Sequence, residues 1–279
     1  MRRASGISIK RTHGLGNLVM LLPVVDKLAA QGIDVHLVTR PDWIEAVQAG
    51  RPDVTCSATA RAGTIDLDAA TCTLAPTMHR TLEFAHLLRV AGPFDAPRLH
   101  VPTAWSEPFA GHAGALVIAP ESGHPARSWP VAHLQALASL LEREREHVVL
   151  SGLSPAPALA CRADLRGRLS LPQLLGLLDH ARAVLCFDSG MLHLAMARSI
   201  PALAIFGGID PRFRATREQR VRVLQAELDC CPCNKAETCA GRYPCLAHIA
   251  PEQVIDALAS IERLAQREIL RIKVPACLH

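Results

Sequence analysis

The chain predicts an α/β protein made of two Rossmann-like domains, each a parallel sheet covered by helices. Three observations carry that expectation. At 279 residues and 49% hydrophobic content there is enough apolar surface for two cores. Short continuous apolar runs, among them Leu116–Ala119, Ala183–Phe187 and Ala202–Phe206, suit strands buried on both faces. Amphipathic stretches alternate with them, the order that builds parallel sheets with crossover helices.

The first half opens with a strand over Gly6–Lys10, a glycine turn at His13–Gly16 and a helix over Leu18–Gln31. A strand at Asp34–Thr39, a helix around Pro41–Ala49, a strand end at Ile65–Asp68 and a helical pattern at Leu82–Val90 follow. Gly14-Leu15-Gly16 invites a dinucleotide reading, but Val19 stands where the third glycine belongs and Thr39-Arg40 where an acidic ribose ligand belongs. A stretch rich in Pro and Gly between Gly92 and Gly114 marks the boundary, giving domains of 1–110 and 111–279.

In the second half, strands at Leu116–Ala119, His147–Ser151, Ala183–Phe187 and Ala202–Phe206 alternate with helices, and Val254–Arg267 closes the domain. Leu171–Leu178 is an apolar stripe at helical spacing and reads as core. Two segments carry chemistry. After the strand ending at Phe187, Asp188 or Ser189 can cap the next helix, Gly190 lets a ligand approach the backbone, and His193 falls on the same face as Ser189. The amides of such a helix start form a phosphate site. The alternative is an ordinary capped helix with a satisfied histidine. After the strand ending at Ala119, the loop Glu121–Pro130 holds Ser122 and Arg127, with Trp129-Pro130 fixing the following helix. Arg127 there neutralises a diphosphate, or is a solvated surface cation.

Together these segments resemble family 9 glycosyltransferases, the heptosyltransferase-type enzymes. The resemblance rests on four ordered blocks: His13–Pro23, Ser122–Pro130 ending in Arg-Ser-Trp-Pro, Asp188–Ala195 through Phe206-Gly207 and Asp210-Pro211, and Cys230-Cys231-Pro232-Cys233 with Cys239 and Cys245. It implies the GT-B arrangement, two Rossmann-like domains facing across a cleft, here with a short N-terminal acceptor-side domain and a C-terminal donor-binding domain. It also implies a nucleoside-diphosphate sugar of ADP-heptose type as donor, held by Ser122, Arg127, Asp188, Ser189, Gly190 and His193. The partner is a saccharide or other hydroxyl acceptor, and the short acceptor half suggests one other than the usual lipid A core.

The resemblance fails at one position. The family usually carries Gly-Asp in the first block, and that Asp is thought to deprotonate the acceptor; here Asn17 occupies the position, and an amide is no general base. Either His13, Asp66, Asp68 or His79 takes the proton, or the chain is a nucleotide-sugar-binding protein without transfer activity. A Ser189–His193 hydrolase pair is disfavoured, because no Gly-x-Ser-x-Gly surrounds Ser189 and both side chains lie on one helix.

Catalysis needs no cofactor in this layout. Cys230, Cys231, Cys233, Cys239 and Cys245 are clustered enough for a structural zinc or iron site, as similar blocks in the family suggest, or are plain thiols or disulfides. Cys56, Cys72, Cys161, Cys186 and Cys277 are scattered and read as small buried hydrophobes. A net charge of +4 without basic blocks, and only ten aromatic side chains, exclude a nucleic-acid platform. No apolar run reaches the ~18 residues of a membrane span and no signal segment is visible, so a cytoplasmic location is expected.

Overall fold

A computed structural model describes residues 6–71, 77–121, 123–215, 220–234, 239–261 and 270–275. The chain forms two wholly parallel sheets. The first contains β1 (Ile7–Lys10), β2 (Val35–Val38), β3 (Val54–Ser57) and β4 (Ile65–Asp66), in the order β3-β2-β1-β4. Around it run α1 (Leu15–Ala30), α2 (Pro41–Gln48), α3 (Leu67–Thr71), α4 (Arg80–Leu87) and α5 (Thr103–Ser106).

The second sheet is larger, with β5 (Ala115–Ile118), β6 (Val148–Leu150), β7 (Ala163–Asp164), β8 (Ala181–Phe187), β9 (Ala202–Phe206), β10 (Val221–Glu227) and β11 (Leu270–Pro275). Its order is β11-β10-β9-β8-β5-β6-β7, flanked by α6 (Val131–Arg143), α7 (Leu171–Leu178), α8 (Gly190–Ala197), α9 (Pro244–Ala247) and α10 (Pro251–Ile261). Each sheet winds outward in both directions from a central pair, β1/β4 in the first and β5/β8 in the second. In such sheets ligands bind beyond the carboxyl ends of that pair, where the winding reverses.

The strands of the second sheet alternate their side chains between two cores. Leu116, Ile118, Leu185 and Phe187 face Trp129, Leu134 and Leu137 on one side, while Val117, Ala119, Val184 and Cys186 face the other. That other core is continuous with the first half, joining Ile9, Leu18 and Leu22 to Leu175, Leu192 and Leu194. The two halves therefore meet through apolar packing of α1 on α8 and of α2 and α5 on α7. Gly176 permits one such approach, since a side chain there would collide with the Trp105 carbonyl. Leu171–Leu178 is core, as its apolar stripe predicts.

Some expectations need correction. The first helix starts at Leu15 rather than Leu18, because Gly14, with φ +74°, already makes the turn and Gly16 becomes part of the first helical turn. The edge strands β3 and β7 and strand β10 carry too little continuous apolar sequence to stand out. The closing helix is described over Pro251–Ile261, and residues 262–267 of its expected range lie outside the described residues, as do Cys72 and Cys277. Among the described residues no helix is long and apolar enough to cross a membrane.

Candidate functional site

The switch point of the second sheet brings together the two loops singled out by sequence. From β5, the chain passes through Gly123, at φ +69°, and a tight 3-10 turn over Pro125–Arg127. Trp129, buried and donating from Nε1 to the Ile249 carbonyl at 3.0 Å, pins the far end before α6 begins at Val131. Arg127 is thereby aimed at the end of β8, where its Nη1 donates to the Asp188 carbonyl at 3.0 Å and stands 4.0 Å from Asp188 Oδ2. Its side chain keeps 36% of its surface exposed, so it is not the freely solvated cation of the alternative reading. Ser122 lies outside the described residues.

Ser189 occupies the N-cap of α8, but its hydroxyl makes no capping bond. Three buried polar atoms around this helix start lack a hydrogen-bond partner: Asp188 Oδ2, Ser189 Oγ and His193 Nδ1. Unsatisfied buried groups are costly, and a cluster of them beside free helical amides marks a place built for a polar ligand.

Two arginines that sequence reasoning missed complete the charge of the site. Arg214, three residues past Pro211, donates from Nε to Asp188 Oδ1 at 3.2 Å and is nearly buried with it. Arg80, at the start of α4, is buried and bonded through Nη1 to Glu83 Oε2 at 2.6 Å, within electrostatic reach of Arg214 and Asp188. The Asp210-Pro211 block was the available signal for Arg214; nothing local distinguishes Arg80.

His193 is buried between the halves, with its ring against Gly16 of α1. Burial, then the charges of Arg214 and His79, push its pKa well below the ordinary histidine value, so the ring is neutral. The start of α8 and the glycine turn of the first half are in contact, as a methyl placed on Gly190 would sit 3.3 Å from Leu15 Cβ.

The first sheet's switch point carries the candidate bases. Asp66 is tied to Lys10 Nζ at 2.8 Å and accepts from the amides of Asp68 and Ala69, which starts α3. The Lys10 bond, with those amides, holds its carboxyl below the usual range. His79 Nδ1 accepts from the Thr81 amide at 3.3 Å and caps α4. Asp68 is buried and accepts from the Thr12 hydroxyl at 2.6 Å and from the amides of Thr12 and His13. The Asn17 amide group turns back over its own turn, where Nδ2 would lie 2.9 Å from a methyl on Gly14.

The described part of the cysteine segment forms one neighbourhood around Gly207 and Gly208. Cys231 Sγ donates to the Gly207 carbonyl at 3.3 Å, and a hydrogen bond with Cys245, then burial, push the Cys231 thiol strongly up. Cys233 lies against Gly208, Cys230 is exposed and Cys239 is partly buried. Among the described residues no three His, Cys, Asp or Glu side chains are placed together to hold a metal ion.

Two Rossmann-like halves, each built on a parallel sheet, define the GT-B fold shared with the solved structures below. The model of "Glycosyltransferase family 9 (heptosyltransferase)" matches residues 97–243, and the chain belongs to that family. Lipopolysaccharide heptosyltransferase 2 of Salmonella typhimurium is 29% identical over 151 residues, 49% of this chain and 43% of that protein. The chain thus spans less than half the length of this curated relative in the match. Among solved structures, the iron-containing dodecameric glycosyltransferase TibC of enterotoxigenic E. coli superimposes with TM-score 0.77 at 16% identity, covering 94% of this chain and 77% of TibC. A second TibC structure holds ADP-D-beta-D-heptose. The family 9 glycosyltransferase of Veillonella parvula gives TM-score 0.72 at 15% identity, covering 93% of this chain and 97% of that one.

Proposed function

We propose that the chain transfers a heptose-like sugar, with inversion, from an ADP-heptose-like donor to a hydroxyl of a saccharide acceptor. The observation that carries the reading is Arg127, held against the end of β8 beside two buried atoms that make no hydrogen bond, Ser189 Oγ and His193 Nδ1. The amides at Ser189 and Gly190 and the Arg127 guanidinium would take the diphosphate and stabilise its charge as it departs. Ser122, from the same loop, would join them. The half up to about residue 110 would face the acceptor and the remainder the donor. Named relatives that act on lipopolysaccharide, and the ADP-D-beta-D-heptose in TibC, support these substrate classes. No step runs through a metal, and the cytoplasm is where a nucleotide-activated donor would be met.

Asn17 favours a second reading, a protein that binds the donor without transferring it. Calorimetry with ADP-, GDP- and UDP-sugars, followed by transfer to a panel of saccharides, tests both. Tight ADP-sugar binding with product formation supports transfer; binding without product supports the second reading; no binding rejects both.

A further inference from the structure

Resting on the transfer reading above, we propose that the proton of the acceptor hydroxyl is taken by Nε2 of His13, with Asp68 as the positioning residue that orients the ring. The β1/β4 switch point assembles the pair: β1 ends at Lys10 and β4 at Asp66, paired in register, so the segments leaving them run side by side. His13 Nδ1 lies 3.3 Å from Asp68 Oδ2, the distance of a ring N–H held by a carboxylate. A neutral ring oriented by that carboxylate would carry its proton on Nδ1 and keep the Nε2 lone pair for the acceptor hydroxyl.

The two side chains differ in the way the roles require. Asp68 is buried and fixed by two amides, the Thr12 hydroxyl and Arg11 Nη1 at 3.4 Å, so it has no lone pair to spare for substrate. His13 is 82% exposed. It comes immediately before the Gly14–Gly16 turn, whose Leu15 and Gly16 lie against Gly190 and His193 at the start of α8. The remaining candidates are spoken for: Asp66 by Lys10 and the start of α3, His79 by the cap of α4. Burial would raise the Asp68 carboxyl, but its hydrogen bonds outweigh this and hold it below the usual range, so it is ionised when an imidazolium forms next to it.

In the step, the acceptor O–H bond breaks and its proton goes to His13 Nε2 while the oxygen bonds to the anomeric carbon. The bond from that carbon to the diphosphate oxygen breaks, and its electron pair leaves with the nucleoside diphosphate. The charged groups nearest the pair are Arg11 on the same segment, 3.4 Å from Asp68 Oδ1, and Lys10 at the end of β1, which is paired with Asp66. All of them stay in place in the variants below.

The experiment compares unmodified protein, His13→Gln, Asp68→Asn, Asp68→Glu and Asn17→Asp, measuring ADP-sugar affinity by calorimetry and transfer rate against pH. His13→Gln should keep donor affinity, lose ~10²–10⁴-fold in kcat and lose the acid limb of the pH profile. Asp68→Asn should lower kcat less than His13→Gln does, with donor affinity kept, and Asp68→Glu, which restores a carboxylate, should recover part of that loss. Asn17→Asp should be neutral or slower. A His13→Gln rate within about threefold of the unmodified protein, its acid limb intact, overturns the dyad alone. So does transfer seen only with Asn17→Asp. Absence of ADP-sugar binding by the unmodified protein overturns the donor reading, and the dyad with it.

Discussion

Gly16 and His193 are in contact across the two halves: a methyl group on Gly16 would run into the His193 ring, whose Nδ1 is buried without a partner. The first turn of α1 and the start of α8 are thus fitted to each other at the candidate site. Gly16→Ala should cost about 1–3 kcal/mol, the usual price of overfilling a packed contact, and should weaken donor binding as α8 shifts. Urea unfolding and calorimetry read the two effects; an unchanged stability would mean that the halves sit farther apart.

Arg127 reaches the end of β8 while remaining partly exposed. Arg127→Ala should therefore fold normally and weaken nucleoside-diphosphate affinity by about 1.5–3 kcal/mol, the range of a charge-assisted hydrogen bond. Equal affinities for the two proteins by calorimetry would remove Arg127 from the donor site.

Arg214 should behave differently. It is buried against Asp188, and removing one partner of a buried pair leaves an uncompensated charge, so Arg214→Ala should lose about 3–5 kcal/mol of stability. Arg40, paired with Asp42 where both side chains are exposed, is the control whose replacement by Ala changes stability little. Similar melting temperatures for the two variants would contradict the buried pair.

Acidification should lower stability in two steps, the upper one led by the fully enclosed His193 and shared with His36 and His147, whose burial also lowers their pKa. The folded pKa of His193 lies below its unfolded value, so below about pH 6.5 the unfolded chain takes a proton that the folded chain refuses. Stability is therefore complete above that pH and falls below it, by up to roughly 1.4 kcal/mol per pH unit. Asp68, also depressed, adds a second loss only below about pH 4. His193→Asn should flatten the upper stage in urea titrations between about pH 7 and 5; a slope that survives the substitution belongs to another group.

The elements with continuous apolar runs were legible in the sequence: β5, β8 and β9 fall within a residue or two of where Leu116–Ala119, Ala183–Phe187 and Ala202–Phe206 place them. Strands buried on both faces must be apolar throughout, and that signal is local. The edge strand β3, Val-Thr-Cys-Ser, is half exposed, carries no such run and was invisible. Of the site, Arg127 and the Asp188-Ser189-Gly190 turn could be read because each follows a recognisable strand. Arg80 is 108 residues from Asp188, and only folding brings it into electrostatic reach.

By itself the sequence determined the parallel α/β architecture, the family and the amide at position 17, because apolar runs, glycine turns and motif spacing are properties of neighbouring residues. Only the tertiary structure decided what surrounds that position. The β1/β4 pairing sets Asp68 against His13, 55 residues away in the chain, and the packing of α1 on α8 closes Gly16 over His193. These contacts are long-range, fixed by strand order and helix packing, and no local pattern of residues encodes them.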